Sequence, residues 1–110
     1  MKYKLFVSDY DGTLGHAPQN TIDKEILTAI KEYNDKGGKF AICSGRNIDS
    51  LTNILNNAGL DSVEIIVGIQ GSIIKDLKQD KIIFNQGLDK STAIDFANRL
   101  ISDGNSVVVF

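Results

Sequence analysis

Three short apolar runs separated by two helical stripes constrain this chain more than any other feature of it. Leu5-Phe6-Val7 is a continuous apolar segment, the pattern of a strand buried on both faces of a parallel sheet; Phe40 to Cys43 reads as a second strand and Val63 to Val67, interrupted by Glu64, as a third. Between the first two, Ile26, Leu27, Ile30 and Tyr33 fall at helical spacing from about Asp23 to Lys36, and Gly37-Gly38 supply the stop. Between the second and third, Ile48, Leu51, Ile54, Leu55 and Ala58 form a second stripe closed by Gly59. The order is β-α-β-α-β. Parallel strands joined by helices take right-handed crossovers, so the expectation is a doubly wound α/β core.

The pattern changes after Gly71. Ser72 to Lys75 and Lys81 to Phe84 are short, β-rich and separated by the polar stretch Asp76 to Asp80, which predicts an antiparallel hairpin. Gln86-Gly87 reads as a boundary. Beyond it Ala93, Ile94, Ala97, Leu100 and Ile101 predict a helix closed by Gly104, and Ser106 to Phe110 a final strand.

Composition narrows the class of protein. Hydrophobic residues make up 42% and charged residues 24% of the 110, too apolar for a disordered chain. The longest apolar runs are four residues, such as Val107 to Phe110, where a membrane-spanning helix needs about 20. A net charge of −2 removes the electrostatic reason to expect nucleic acid or anionic lipid as a partner. Cys43 is a single cysteine without an internal disulfide partner, and Met1-Lys2-Tyr3-Lys4 opens no apolar signal segment. The expectation is a cytoplasmic protein with Cys43 as a small core residue.

The chemistry gathers where strands end. In open α/β sheets ligands bind outside the carboxyl ends of the strands, and the first strand runs into Ser8-Asp9-Tyr10-Asp11-Gly12-Thr13-Leu14. Residues two apart on extended backbone point the same way, so Asp9 and Asp11 can approach one centre. Gly12 permits a sharp turn that brings amide groups near an anion. Such a pair suits either a carboxylate nucleophile with its acid/base partner or the binding of a hard cation. An Asp-Gly turn with solvent-facing acids has the same local sequence. The second strand ends in Cys43-Ser44-Gly45-Arg46, a hydroxyl and a cation just before a helix N-terminus, which suits a phosphate. Tyr10 and Thr13 read equally as substrate contacts or as an outward tyrosine and a turn threonine. His16 reads as a surface residue.

Leu5 to Leu14 resembles motif I of the haloacid dehalogenase superfamily, D-x-D-G-T after an apolar strand, and Ala41 to Arg46 resembles its motif II. The stretch from Val67 to Asp76 is similar to the Cof-type sugar-phosphate phosphatases of that superfamily, with Gln70-Gly71-Ser72 where those have Asn-Gly-Ala. The resemblance implies a Rossmann-like core and an aspartyl-phosphate mechanism on a small phosphorylated metabolite. Asp9 is then the nucleophile, and Asp11 the acid and base. Mg²⁺ is then held by the Asp9 carboxylate and the Asp11 carbonyl, and Gly12, Thr13, Ser44, Gly45 and Arg46 surround the phosphate, with Arg46 equally able to pair with a surface acid.

Two further motifs of that family, a lysine and an acidic G-D-x-x-N/D loop, have no counterpart here. Lys75, Lys78, Lys81 and Lys90 stand outside motif context, and Asp103-Gly104 is in reversed order. The expectation is half of a catalytic core with a hairpin over residues 1–86 and the first helix and strand of a cap over 87–110. Such a portion of a longer phosphatase should bind metal weakly and turn over little. Its first strand should be an exposed apolar edge through which copies associate. A phosphotransferase of the phosphomannomutase type shares motif I and stays open as an alternative. A non-enzymatic receiver-like phosphoacceptor needs its acid at the end of the third strand, where this chain has Val67-Gly68-Ile69.

Overall fold

A computed structural model describes residues 1–16 and 18–110. Its elements are β1 (Leu5–Ser8), β2 (Gly15–His16), β3 (Thr21–Ile22), α1 (Lys24–Asp35), β4 (Lys39–Cys43), α2 (Ile48–Ala58), β5 (Val63–Gly68), β6 (Ile73–Asp76), β7 (Lys81–Asn85) and α3 (Lys90–Ser102). One five-stranded sheet runs in the order β1-β4-β5-β6-β7. The first three strands are parallel, with Phe6 opposite Phe40 and Ser8 opposite Ile42. The hairpin β6–β7 continues the same sheet in antiparallel sense, with Val67 opposite Ile74. The sheet is therefore mixed, an α/β arrangement whose parallel half is the part the apolar runs specify.

α2 starts and stops for local reasons, and a glycine ends α1. The Asn47 side chain caps α2 by accepting from the Ser50 amide at 2.8 Å, and Gly59 closes that helix at φ 69°, a left-handed position that glycine takes without a Cβ penalty. Gly37, at φ 87°, turns the chain after α1 toward β4.

The core is built from one face of the sheet. Phe40, Ile42, Val63 and Ile66 meet Ile30 of α1 and Leu51, Ile54 and Leu55 of α2 in a single buried cluster. Both crossovers step the same way along the sheet, so right-handed connections put both helices on that face. The double winding expected from the alternation is thus a winding of one face. Neither helix covers the other, where Leu5 and Val7 are each 51% exposed. Cys43 also lies exposed there rather than in the core, because alternation along β4 turns it away from Phe40 and Ile42.

A second difference concerns the C-terminus. Residues 106–110 form no strand, and Val108, Val109 and Phe110 are exposed. β-Branched residues favour a strand only where a neighbour accepts their backbone groups, and this run is paired into neither sheet. The small β2–β3 hairpin, by contrast, carries no apolar alternation and was invisible in the pattern.

Candidate active site

β1 delivers its last residue, Ser8, and then Asp9 to the carboxyl edge of the sheet. Ser8 is buried, and its hydroxyl donates to the Asp9 carbonyl at 2.8 Å. The Asp9 side chain is exposed, and its Oδ1 accepts from the Tyr10 amide at 2.8 Å. Among the described residues Oδ2 has no donor. Gly12, at φ 76°, then makes the expected sharp turn.

That turn uses its own amides. The N–H groups of Thr13, Leu14 and Gly15 all donate to the Tyr10 carbonyl, at 3.1, 3.0 and 3.0 Å, and Gly12 N–H donates to the Gly15 carbonyl at 3.2 Å. The amides of Gly12 and Thr13 therefore close the loop, and Thr13 itself is exposed. Tyr10 is neither outward nor a substrate contact. It is 0% exposed, and its ring fills the space beside Gly15, where an added Cβ would stand 2.3 Å from the tyrosine Cζ.

β4 brings Ser44, Gly45 and Arg46 to the same edge, next to β1. Ser44 is buried, and its Oγ accepts from the Arg46 amide at 3.1 Å. The loop after β5 is tied to this segment by three backbone bonds: Ser44 N–H to the Val67 carbonyl, Ile69 N–H to the Arg46 carbonyl and Gln70 N–H to the Ser44 carbonyl. Gly45 leaves room for the Gln70 side chain, whose Nε2 would stand 2.8 Å from a Cβ there.

Arg46 joins the two motifs. Its Nε donates to Asp11 Oδ2 at 2.8 Å and its Nη2 to Asp11 Oδ1 at 2.7 Å, a two-pronged fork between planar groups. The same guanidinium reaches Asn20 Oδ1 at 3.3 Å and Ser50 Oγ at 3.4 Å, and lies 5.6 Å from the centre of the Tyr10 ring. The hydrogen-bonded guanidinium holds the Asp11 carboxyl below the usual carboxylate range, and Asp11 in turn raises Arg46. Burial pushes the Tyr10 hydroxyl up, with the charge of Arg46 opposing it.

Sequence reading placed Asp9, Asp11, Ser44 and Arg46 at one edge, and they are there. It missed Asn20 and Ser50 as partners of Arg46; the only trace is that Ser50 follows Arg46 by one helical turn. His16 instead pairs with Asp23 at 3.3 Å on the surface.

The sequence pattern that defines the haloacid dehalogenase-like hydrolases matches residues 6–110. The chain belongs to that family. Solved structures agree in fold: a haloacid dehalogenase-like hydrolase from B. subtilis superposes with a TM-score of 0.80 at 22% identity, over 92% of this chain and 34% of that one. A Bacteroides thetaiotaomicron protein, described among phosphatases of the Haloalkanoate (HAD) enzyme superfamily, gives 0.72 at 19% identity, over 90% of this chain and 36% of its own. In sequence, a Haemophilus influenzae protein named "Putative phosphatase" is 23% identical over 95 residues, 86% of this chain and 34% of that protein. The chain spans about a third of the length of these hydrolases.

Metal donors fit in kind. Mg²⁺ takes oxygen ligands, typically one or two carboxylates together with substrate phosphate and water. The open Asp9 carboxylate is such a donor, and the Asp11 carbonyl follows two residues later. Among the described residues no group of three or more His, Cys, Asp and Glu side chains converges on one point. No described helix is long and apolar enough to cross a membrane.

Proposed function

We propose that this chain carries the nucleophilic half of a phosphomonoester hydrolase, acting on small phosphorylated metabolites of the sugar-phosphate class through an aspartyl-phosphate. The observation that carries the reading is that an exposed Asp9 carboxylate follows β1 and a buried Ser44 hydroxyl follows β4, the strand beside it in the sheet.

In the first step an Asp9 oxygen attacks phosphorus, the bond from phosphorus to the ester oxygen breaks, and protonated Asp11 gives its proton to the departing alcohol. In the second, Asp11 takes a proton from water, which attacks the same phosphorus and returns Asp9 as a free carboxylate. Ser44 offers its hydroxyl to a phosphoryl oxygen. The Asp9 carboxylate and the Asp11 carbonyl would hold a Mg²⁺ ion, which when bound would supply charge neutralisation to the phosphoryl group. The Asp11 carboxyl, held low by Arg46, must leave that fork to become a proton donor near neutral pH.

The test is release of inorganic phosphate from a panel of sugar phosphates with Mg²⁺ present, by the protein as its gene encodes it. Asp9→Asn is expected to lose activity by about 10³-fold or more, the scale of losing a nucleophile. Undiminished activity in Asp9→Asn would remove Asp9 from that role.

A further inference from the structure

We propose that Arg46 is an oxyanion receptor kept closed by an internal anion: Asp11 fills its fork at rest, and a phosphoryl group displaces Asp11 from it. The inference rests on the reading of the site as a phosphoryl-transfer centre and adds the exchange of partners that such a site needs.

Four observations carry it. First, the fork is the geometry in which a guanidinium takes a phosphate as readily as a carboxylate, since both offer two oxygens to parallel N–H donors. Asp11 engages both at 2.7 and 2.8 Å, while the remaining contacts, to Asn20 and Ser50, are longer at 3.3 and 3.4 Å. The guanidinium is therefore committed mainly to one partner.

Second, both charges are reachable from solvent, with 30% of the Arg46 and 47% of the Asp11 side chain exposed. Breaking the pair leaves no charge stranded in the core, so the exchange costs little. Third, the backbone of Arg46 is held independently of its guanidinium. Its N–H is bonded to Ser44 Oγ and its carbonyl to Ile69 N–H, so any movement is a swing of the side chain above the face of Tyr10. That ring, 5.6 Å away, remains a favourable surface for the cation throughout.

Fourth, Arg46 touches every part that borders the site: Asp11 after β1, Ser50 on α2, and Asn20, which follows the β2 strand in a left-handed conformation at φ 54°. When the guanidinium turns to a phosphoryl oxygen, Asp11 is freed toward the leaving group and Asn20 loses its bond to Arg46. Ligand arrival and arming of the acid are then one event.

The measurement is a binding cycle on the 110-residue chain in metal-free buffer, with inorganic phosphate as the probe and amide and arginine Nε–H resonances as the readout. Asp11→Asn removes the internal competitor and is expected to tighten phosphate binding about tenfold or more, with the Arg46 Nε–H resonance moving on titration. In an Arg46→Gln background the same substitution should give no such gain. Arg46→Lys, which keeps the charge and loses the fork, should show a gain smaller than the native arginine does. Amide spectra identify any variant that fails to fold.

An equal gain with and without Arg46 overturns the inference, because loss of a negative charge then accounts for everything. So does an Arg46 resonance that ignores phosphate, or absence of phosphate binding in every variant. Each of these outcomes is separate from the fate of Asp9→Asn in phosphate release, which tests the parent reading alone.

Discussion

Tyr10 stands between the two motif aspartates and sets how that segment is packed. It is 0% exposed, yet its hydroxyl has no hydrogen-bond partner among the described residues. A buried hydroxyl left unpaired costs about 1–3 kcal/mol, so Tyr10→Phe is expected to leave stability unchanged or raise it by about 1 kcal/mol in urea unfolding. A loss of that size would mean the hydroxyl has a partner after all. Gly15 is the other half of the contact. A Cβ at position 15 would meet the Tyr10 ring at 2.3 Å, which displaces the ring or the turn. Gly15→Ala should therefore cost about 1–3 kcal/mol, the range for overpacking, and a neutral result would show that the ring gives way freely. Little of this was legible beforehand. A tyrosine at a strand end carries no sign of which way it faces until a partner such as Gly15 is placed opposite it by a turn.

The elements differ in how openly they were written. The parallel strands and their helices were readable because burial on the sheet or on one helical stripe demands a long apolar pattern. The β2–β3 hairpin was not, since Gly15-His16 and Thr21-Ile22 pair over only two residues each. The run from 106 to 110 misled in the opposite direction, having the residues of a strand and no strand pairing. The strand ends, Asp9 to Gly12 and Ser44 to Arg46, were legible as a site because topology alone sends both to one edge; that Asp11 and Arg46 hold each other depends on side-chain reach and was not. At the far end of the chain, Asp89 caps α3 by accepting from the Thr92 amide at 3.0 Å and from the Ser91 and Thr92 hydroxyls at 2.7 and 2.6 Å. These bonds hold its carboxyl down to about 2, from an ordinary 3.8. A carboxyl lowered by folding stabilises above its unfolded value and loses that contribution as pH falls through its folded value. The α3 helix should accordingly hold its amide protection above pH 4 and lose it between about 4 and 2; a cap insensitive to pH in that window would contradict the assignment.

On the scale of the molecule, the chain is elongated. Its radius of gyration is 16.4 Å and its extents are 52 × 30 × 23 Å, against about 13 Å for a compact domain of this size. The helix α3 buries no residue, and β1 forms one edge of the sheet with Leu5, Phe6 and Val7 each more than half exposed. An apolar edge with free backbone groups pairs with whatever is offered. At high concentration the isolated chain is expected to associate in sedimentation velocity, and Val7→Lys to shift it toward monomer; a monomeric wild-type chain would count against that edge. The same topology brings Asp9 and Ser44 to one edge, at the ends of neighbouring parallel strands, and the whole functional account turns on Asp9. An acyl phosphate is reduced by borohydride to an alcohol, so trapping during turnover of a phosphomonoester marks the nucleophile as homoserine. Peptide mass spectrometry is predicted to find homoserine at position 9 and unchanged aspartate at position 11. Phosphate released at full rate with homoserine at position 11, or at neither position, would contradict the account.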